Sequence, residues 1–349
     1  MTAYAPLVSV IVPNYNYARA LDLCLRALQE QTYPHVEIIM VDDRSTDDSV
    51  AVAESLGVRV VQPAVNGGVS KARNFGAAHA RGEILFFVDS DVAMDPDAVE
   101  QVVASFAGRP EIGAVCGTYR PEPLIRDSLV EEYRNFHQHY WISGFAGRIH
   151  DFVHPAMVAV RSHVFAEIGG WNSRLRRTEG SDFGRRVGEH YETWLNPAIR
   201  GRHDNDDTLR VVLRKVFIRT RMQISFFRRG RRVADVASSN SARAALLAAL
   251  TLPAVAVPVL LGPWWTLLPL ALLAGSVALD ASMYRAAARY KGFFFGVYFA
   301  SVHYLVNVTI MAAVGVGLIQ WLTSERYRRL YDPAAVEPAA VNSATRVAL

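Results

Sequence analysis

The chain has 349 residues, of which 51% are hydrophobic and 20% are charged, and its formal net charge is +4. A net charge this small gives no electrostatic argument for a nucleic-acid partner, so we expect none. The length allows one large domain or two smaller ones, and the charged residues become scarce only in the last third.

Short apolar runs rich in β-branched residues predict five strands in the first 120 residues, at 7–12, 36–41, 58–61, 84–88 and 112–116. Helices are predicted between them, including residues 18–29 and 69–80. We expect Ser45 or Thr46 to cap the second helix, and the Asp95-Pro96 pair to start the fourth. Strands that alternate with helices indicate a Rossmann-like α/β domain with a mostly parallel sheet.

Polar clusters follow three of these strands. They are "PNYN" after the first strand, "DDRS" after the second and "DSD" after the fourth. Ligands of such sheets bind outside the carboxyl ends of the strands, near the point where strand order reverses. The three clusters therefore predict one binding crevice.

The residues of this crevice exclude two common nucleotide sites. The glycine pattern of a dinucleotide fold does not follow the first strand, and the sequence has no P-loop. Asp89 and Asp91 are alternate residues of an extended segment, so their carboxylates can share a ligand. Such a pair suits Mg²⁺ or Mn²⁺, although a solvated turn before a helix has the same composition.

The first 208 residues resemble the family 2 glycosyltransferases, which have the GT-A fold. The resemblance rests on five motifs in order: "VSVIVPNYN", "VDDRSTDDS", "NGGVSKARNFGAAHARGE", "FFVDSD" and "VFAEIGGWN". It implies an inverting transfer of a sugar from a nucleotide-diphosphate sugar, assisted by Mg²⁺ or Mn²⁺. The processive synthases of the family carry Q-x-x-R-W, which this sequence lacks, so we expect addition of a single sugar.

The resemblance implies a nucleotide site along the crevice. The Pro13 backbone and the Tyr15 ring would flank the base, and Asp43 would hydrogen-bond it, whereas we expect Asp42 to cap or to form an ion pair. The loop of residues 66–73 would lie along the nucleotide. The implied nucleotide-binding residues are Pro13, Tyr15, Asp43, Asn66, Gly67, Arg73, Asp89 and Ser90.

The resemblance also implies a metal site formed by Asp91, Asp89 and His203. Asp91 would ligate the metal on the diphosphate, and Asp89 would approach the ribose or a metal-bound water. His203 falls where many members place a histidine near that metal. The alternative for His203 is an ordinary surface position.

The sequence departs from the family at the general base, which members supply from an E-D-x-D/E-L pattern. Alignment of "TEGSDFGRR" on Asp182-Phe183 places Gly180 at the base position. Glu179 or Asp182 is then the candidate general base, or the loop is shifted by a residue. If the acceptor is a phosphate, which is already ionised, no base is needed. Both acids are also favourable simply as residues of a helix start.

The rest of the chain predicts attachment to a membrane. Residues 209–241 form a basic segment, in which an amphipathic helix would lie in the headgroup layer. Residues 242–322 contain about three apolar stretches of transmembrane length, at 244–261, 264–279 and 293–322, and residues 323–349 form a disordered tail. We expect His303 and Asn307, on one face of the third stretch, to serve helix packing.

Basic residues before the first apolar stretch and before the third predict a multi-pass protein of the inner (plasma) membrane with a cytoplasmic catalytic domain. Three spans would place Arg326, Arg328 and Arg329 outside, against the positive-inside tendency. Either the tail violates this tendency or one stretch does not cross.

Together these features predict a membrane-anchored glycosyltransferase that moves one sugar to a lipid-linked or membrane acceptor, for example polyprenyl phosphate. The alternative acceptor is a hydroxyl of a glycolipid, a polysaccharide precursor or a natural product. A non-catalytic membrane protein that binds nucleotide sugars is a further, less favoured hypothesis. A homo-oligomer is compatible with the sequence.

Overall fold

The computed structural model describes residues 5–144, 146–149, 152–175, 178–227 and 240–329. Within these ranges the chain forms two units. The sheet unit contains residues 5–127 and 134–205, and the helical unit contains residues 128–133 and 206–329. The predicted basic residues Arg228, Arg229, Arg231 and Arg232, and the predicted tail from residue 330 onward, lie outside the described residues.

The sheet unit begins with alternating strands and helices, which confirms the five predicted strands. Its first elements are β1 (Val8–Asn14), α1 (Ala18–Gln29), β2 (Val36–Asp42), α2 (Ser49–Ser55), β3 (Arg59–Val61), α3 (Val69–His79), β4 (Ile84–Val88), β5 (Val92–Met94), α4 (Ala98–Phe106) and β6 (Ile112–Tyr119). The later elements are α5 (Leu129–Ser143), whose first residues belong to the helical unit, β7 (Gly147–Ile149), β8 (Met157–Arg161), α6 (Ser162–Glu167), α7 (Glu179–Gly188) and β9 (Glu192–His203).

The strands lie in the order β3-β2-β1-β4-β8-β6-β9-β5, and β7 pairs with β9. The first four strands of this order are parallel, as the alternation of strands and helices predicts. β8 then runs antiparallel to β4 and β6, and β9 runs parallel to β6 but antiparallel to β5 and β7. The α/β class is confirmed, and the second half of the sheet adds antiparallel strands.

The central strands have no polar face because helices cover both sides of the sheet. Every residue of β1, β4 and β6 is buried. Alternate residues of β1 point to opposite sides, so Val10 packs with Leu21 of α1, and Ile11 packs in the opposite core with Ala72 of α3. Continuous apolar runs are typical of strands buried on both faces.

Two helix starts differ from the prediction. The second helix begins at Ser49 rather than beside Ser45 or Thr46, because Ser45 N–H donates to the Asp42 carboxylate and is fixed outside the helix. The fourth begins at Ala98, since the Asp95 carboxylate accepts hydrogen bonds from Arg120 at 2.8 Å instead of capping the helix.

The helical unit contains α8 (Leu209–Phe227), α9 (Asn240–Ala254), α10 (Val257–Leu261), a 3-10 turn (Pro263–Thr266), α11 (Leu267–Leu279), α12 (Ala281–Lys291), α13 (Phe293–Thr323) and α14 (Glu325–Arg328). Among the described residues α13 alone is long and apolar enough to cross a membrane, with a mean hydropathy of 1.9. A second candidate arises only if two consecutive helical segments, Pro263–Leu279 and Ala281–Lys291, count as one span. The chain bends by 66° between them.

The predicted stretch at 244–261 is divided between α9 and α10, so it does not form a helix of spanning length. The expected three spans are thus reduced to one helix, or two with the bent pair, in the part of the chain that the structure describes. A buried helix of a soluble protein can meet the same length and composition criteria.

His303 and Asn307 are buried inside the helical unit, in agreement with a role in helix packing. The Tyr133 hydroxyl lies 3.0 Å from His303 Nδ1, and Asp280 Oδ2 lies 3.4 Å from His303 Nε2. Asn307 Nδ2 donates to Asp280 at 3.5 Å. Asp280 stands at the break between α11 and α12, so these polar contacts fix the bend against α13.

Glu37 of β2 provides a pH-dependent test of the sheet unit. Burial raises the pKa of Glu37, but hydrogen bonds from Ser9 and Arg81 outweigh it, and the pKa lies below its ordinary value of 4.5. Because the folded pKa is the lower one, this stabilisation is present above pH 4.5 and is lost as the pH falls through the folded value. We expect Glu37→Gln to lower the free energy of unfolding by about 1–2 kcal/mol at pH 7.

Denaturant unfolding of the two proteins between pH 7 and pH 3 measures this difference, which should shrink as the pH falls. Glu54→Gln, at an exposed position of α2, is the matched control and should behave as wild type throughout. A difference that grows towards low pH would contradict the assignment.

Candidate active site

The predicted polar clusters meet at one edge of the sheet. β2, β1 and β4 are neighbouring parallel strands, so their carboxyl ends lie side by side. The chain is strained at this edge: Asn16 has φ 53° and Arg44 has φ 69°, a left-handed conformation that non-glycine residues seldom adopt. Asn16 Oδ1 accepts a hydrogen bond from Thr46 N–H at 2.6 Å, which joins the two loops.

The two aspartates after β2 have different structural roles. Asp42 is buried and accepts hydrogen bonds from Ser45 N–H and from Gln62 Nε2 at 2.8 Å, as expected for a structural carboxylate. The two oxygens of Asp43 accept hydrogen bonds from Gly67 N–H at 2.9 Å and Gly68 N–H at 2.7 Å. Asp43 therefore fixes the glycine loop that precedes α3 to the end of β2.

Other residues predicted to bind a nucleotide differ in their accessibility. The Tyr15 side chain is 52% exposed, whereas Pro13 and Ser90 are buried. Asn66 Nδ2 donates to the Asp43 carbonyl at 2.8 Å, so this amide supports the loop. The Tyr15 ring and the backbone of the glycine loop thus offer surface to a ligand, while Asp43 and Asn66 hold that surface in place.

Arg73 of α3 is a buried cation, only 1% exposed, in contact with two carboxylates. Its Nη2 donates to Asp89 Oδ1 at 2.6 Å, and its Nη1 lies 3.8 Å from Glu179 Oε1. The guanidinium stands over the Trp171 ring, 4.9 Å from its centroid. Asp89, Arg73 and Glu179 thus form a line of alternating charges between the end of β4 and the start of α7.

The pKa of Asp89 lies above its ordinary value. Burial is the main cause, the Arg73 guanidinium opposes it, and the negative charge of Asp91 adds to it. A cation bound between the two carboxylates would offset both the burial and the repulsion.

His203 lies beside Asp91, although 112 positions separate them in the sequence. The cause is the antiparallel pairing of β5 with β9, in which Val92 faces His203. His203 Nε2 is 3.3 Å from Asp91 Oδ2, and the imidazole stacks on the Tyr119 ring with centroids 4.6 Å apart. His203 is therefore part of the crevice rather than an ordinary surface residue.

A carboxylate oxygen and an imidazole nitrogen at this separation fit one divalent cation, and the mixed donor set is acceptable to Mn²⁺. In the described part of the chain, no group of three or more His, Cys, Asp or Glu side chains is arranged to hold a metal. The pair leaves most coordination positions to substrate oxygens and water, which is the usual arrangement for Mg²⁺ on a nucleoside diphosphate.

The two acidic residues of α7 that are candidates for the general base occupy different environments. The Asp182 carboxylate is buried and lies 2.8 Å from Arg186 Nη2 and 3.7 Å from Arg185 Nη2. Glu179 faces Arg73, and its Oε2 is buried without a hydrogen-bond partner among the described residues. Asp182 thus holds the helix together, and only Glu179 reaches the line of charges in the crevice.

Gly180 lies against the chain segment that precedes β8. A Cβ at Gly180 would stand 2.5 Å from the Val153 carbonyl oxygen and 2.9 Å from Pro155 Cγ. One turn later, a Cβ at Gly184 would stand 2.4 Å from the backbone of Phe152. The two glycines let α7 approach the backbone of residues 152–155 directly, so a carboxylate side chain cannot be accommodated at position 180 without displacing that segment.

Comparison with known proteins gives the family. The model of the family described as "Glycosyl transferase family 2" matches residues 9–169. Residues 9–169 thus form a family 2 glycosyltransferase domain. This finding confirms the resemblance carried by the five motifs, and residues 179–203 lie beyond the matched range.

Curated relatives include an uncharacterised glycosyltransferase of Haemophilus influenzae, which is 29% identical over 51% of this chain and 60% of its own length. The validoxylamine A glucosyltransferase of Streptomyces hygroscopicus subsp. jinggangensis is 36% identical over 38% of this chain and 34% of its own length. The chain thus spans between about a third and 60% of the curated relatives that it matches here.

Among solved structures, the mannosyltransferase PcManGT of Pyrobaculum calidifontis, in complex with GDP-Man and Mn²⁺, matches with a TM-score of 0.57 and 20% sequence identity. The match covers 93% of this chain and 89% of PcManGT. At this level of identity the likeness concerns the fold, and it confirms the predicted GT-A architecture.

The close packing of α7 can be tested with two glycine substitutions in the same helix. We expect Gly180→Ala to destabilise the protein by about 1–3 kcal/mol, because the added methyl group meets backbone rather than a flexible side chain. Gly188→Ala, in the same helix, meets nothing within 4 Å and should be neutral or stabilising by up to about 1 kcal/mol. Thermal unfolding of both variants checks this, and equal melting temperatures would contradict the close approach.

Proposed function

We propose that the chain is a metal-dependent inverting glycosyltransferase that moves one sugar from a nucleotide-diphosphate sugar to a lipid-linked or membrane acceptor. The observation that supports this most strongly is the Asp91–His203 pair, placed beside the Asp89–Arg73 ion pair at the edge of the sheet. The family of the domain and the GDP-Man and Mn²⁺ bound by PcManGT support the same donor class.

Asp91 and His203 would hold Mg²⁺ or Mn²⁺, with Asp89 contributing through a metal-bound water or the ribose. When bound, the ion neutralises the negative charge that develops on the departing nucleoside diphosphate. Tyr15 would flank the nucleotide base together with Pro13, and the loop of Gly67 would follow the nucleotide.

The remaining members of the nucleotide set would act largely by positioning. Asp43 and Asn66 hold the glycine loop that precedes α3. Ser90 lies between Asp89 and Asp91 in the sequence. Arg73 would fix the orientation of Asp89, since its Nη2 is already bound to that carboxylate. The Oε2 of Glu179, which has no hydrogen-bond partner among the described residues, would accept a hydrogen bond from a sugar hydroxyl.

Two acceptor groups are consistent with Gly180 at the family's base position. A phosphate such as that of a polyprenyl phosphate is already ionised and needs no base. A hydroxyl of a glycolipid, a polysaccharide precursor or a natural product needs a group that takes its proton. Asp182 does not suit this task because two arginines and the surrounding core enclose it.

We further propose that the chain is attached to the inner membrane with its catalytic domain in the cytoplasm. α13 supports attachment, since Phe293 and Phe294 at its start are 73% and 87% exposed. Trp264, in the turn before α11, is 87% exposed, and such aromatic side chains favour the membrane interface. The arginines and lysine of α8 would contact anionic headgroups.

The metal assignment predicts that Asp91→Asn lowers kcat/KM by at least about 100-fold, because the charge on the leaving group is no longer offset. Calorimetry with UDP or GDP should show Mn²⁺-dependent binding to the wild type and its loss in the variant. Asp22→Asn, which removes an exposed partner of Arg26 on α1, should leave binding intact. Wild-type binding by Asp91→Asn would refute the assignment.

The two acids of α7 should respond differently to neutralisation. We expect Asp182→Asn to cost about 3–5 kcal/mol of stability, because it leaves the buried Arg186 without its carboxylate partner. Glu179→Gln should cost less stability than Asp182→Asn, because Arg73 keeps its shorter contact with Asp89, and it should lower kcat by less than about tenfold, in keeping with a positioning role. A loss of 1,000-fold or more in Glu179→Gln would instead identify Glu179 as the general base.

A further inference from the structure

The space that the family's base would occupy is taken by another part of this chain. The backbone of residues 152–155 covers Gly180 and Gly184, and Val153 N–H donates to the Gly180 carbonyl at 3.1 Å. A group that replaces the base is therefore to be sought on this segment or opposite it. The segment contains one side chain able to exchange a proton near neutral pH, that of His154.

His154 is held at the crevice by its own backbone and by that of its neighbours. Its N–H donates to Cys116 Sγ at 3.2 Å, which ties it to β6. Two residues further, the Ala156 carbonyl accepts a hydrogen bond from Asp89 N–H at 3.1 Å. The segment is thus hydrogen-bonded both to α7 at Gly180 and to the loop after β4 that contains Asp89.

The imidazole of His154 belongs to the same aromatic group as the candidate metal ligand. Its ring meets the Tyr119 ring edge to face, with centroids 4.8 Å apart and planes at 87°. The Tyr119 ring in turn stacks on His203, which lies beside Asp91. His154 is half-buried, so it is ordered by these contacts without being sealed from a substrate.

We infer that His154 is the general base of this enzyme and that the acceptor is therefore a hydroxyl group. This inference rests on the proposed function and refines it. A ring nitrogen of His154 takes the hydroxyl proton while the acceptor oxygen forms its bond to the anomeric carbon. The bond from that carbon to the diphosphate oxygen breaks, and its electron pair leaves with the nucleoside diphosphate. The imidazolium then returns its proton to solvent.

This arrangement accounts for the departure at Gly180. In place of a carboxylate on α7, this chain has a histidine on the segment before β8 that packs against α7. The close approach that excludes the carboxylate is the same contact that positions His154. Cys116 and Tyr119 of β6 orient the histidine, so the base is fixed to the sheet rather than to the helix.

The test uses the full-length protein in detergent, Mn²⁺ and radiolabelled UDP- and GDP-sugars. Octyl glucoside is the hydroxyl probe and farnesyl phosphate is the phosphate probe. We expect transfer to octyl glucoside, with a kcat that decreases as the pH is lowered and the imidazole becomes protonated. His154→Gln should lower this kcat at least about 100-fold and remove that pH dependence, while UDP or GDP binding stays unchanged.

His163→Gln is the matched control, because His163 also meets a tyrosine ring, Tyr191, but lies on α6 away from the crevice. It should retain the wild-type kcat and pH profile. His154→Ala should regain activity with added imidazole, which a purely structural role would not allow.

Two results would overturn the inference: a wild-type kcat and pH profile in His154→Gln, or transfer only to farnesyl phosphate with no loss in that variant. In either case Mn²⁺-dependent nucleotide binding would remain. Absence of that binding in the wild type would instead refute the proposed function itself.

Discussion

The buried charge of Arg73 is the constraint on which the rest of the crevice depends. An arginine that is 1% exposed cannot be neutralised by losing its proton, so it must be surrounded by negative groups. Asp89 meets this requirement at Nη2 and Glu179 lies near Nη1, while the Trp171 ring covers the guanidinium. Helix α3, the loop after β4 and the start of α7 are thereby held in one arrangement.

The same constraint separates the two carboxylates of the "DSD" motif. Asp89 is engaged by Arg73, whereas Asp91 faces His203 at the end of β9. The two aspartates of this motif therefore have different partners and different electrostatic surroundings. Asp91 is the one positioned next to an imidazole, which can also ligate a metal, and this is why we propose it as the principal metal ligand.

The position of α7 is set by close packing against the backbone of residues 152–155. Gly180 and Gly184 lie four residues apart, on one face of the helix, and both touch backbone. Asp182 and Arg186 form an ion pair that stabilises the same helix from within. The acids of this segment thus serve packing and charge balance, and we therefore assign the chemistry of the acceptor to the neighbouring segment that contains His154.

The order of strands and helices, the location of the crevice and the family could be predicted from the sequence alone. Apolar runs such as Ile84–Val88 specify buried strands locally, and polar clusters at the ends of parallel strands must share one edge. The tertiary structure was needed for every contact between distant residues. The Asp91–His203 pair depends on the register of β5 with β9, and the Arg73–Glu179 pair depends on where α7 packs.

The contacts of Asp95, Asp182 and His154 were decided in the same way, because a side chain's partner is set by packing across the fold and not by neighbours in the sequence. The sequence by itself determined which groups are present, how they are spaced and on which edge of the sheet they lie. Only the tertiary structure decided which carboxylates are neutralised by arginines, and which side chains are left to act on a substrate.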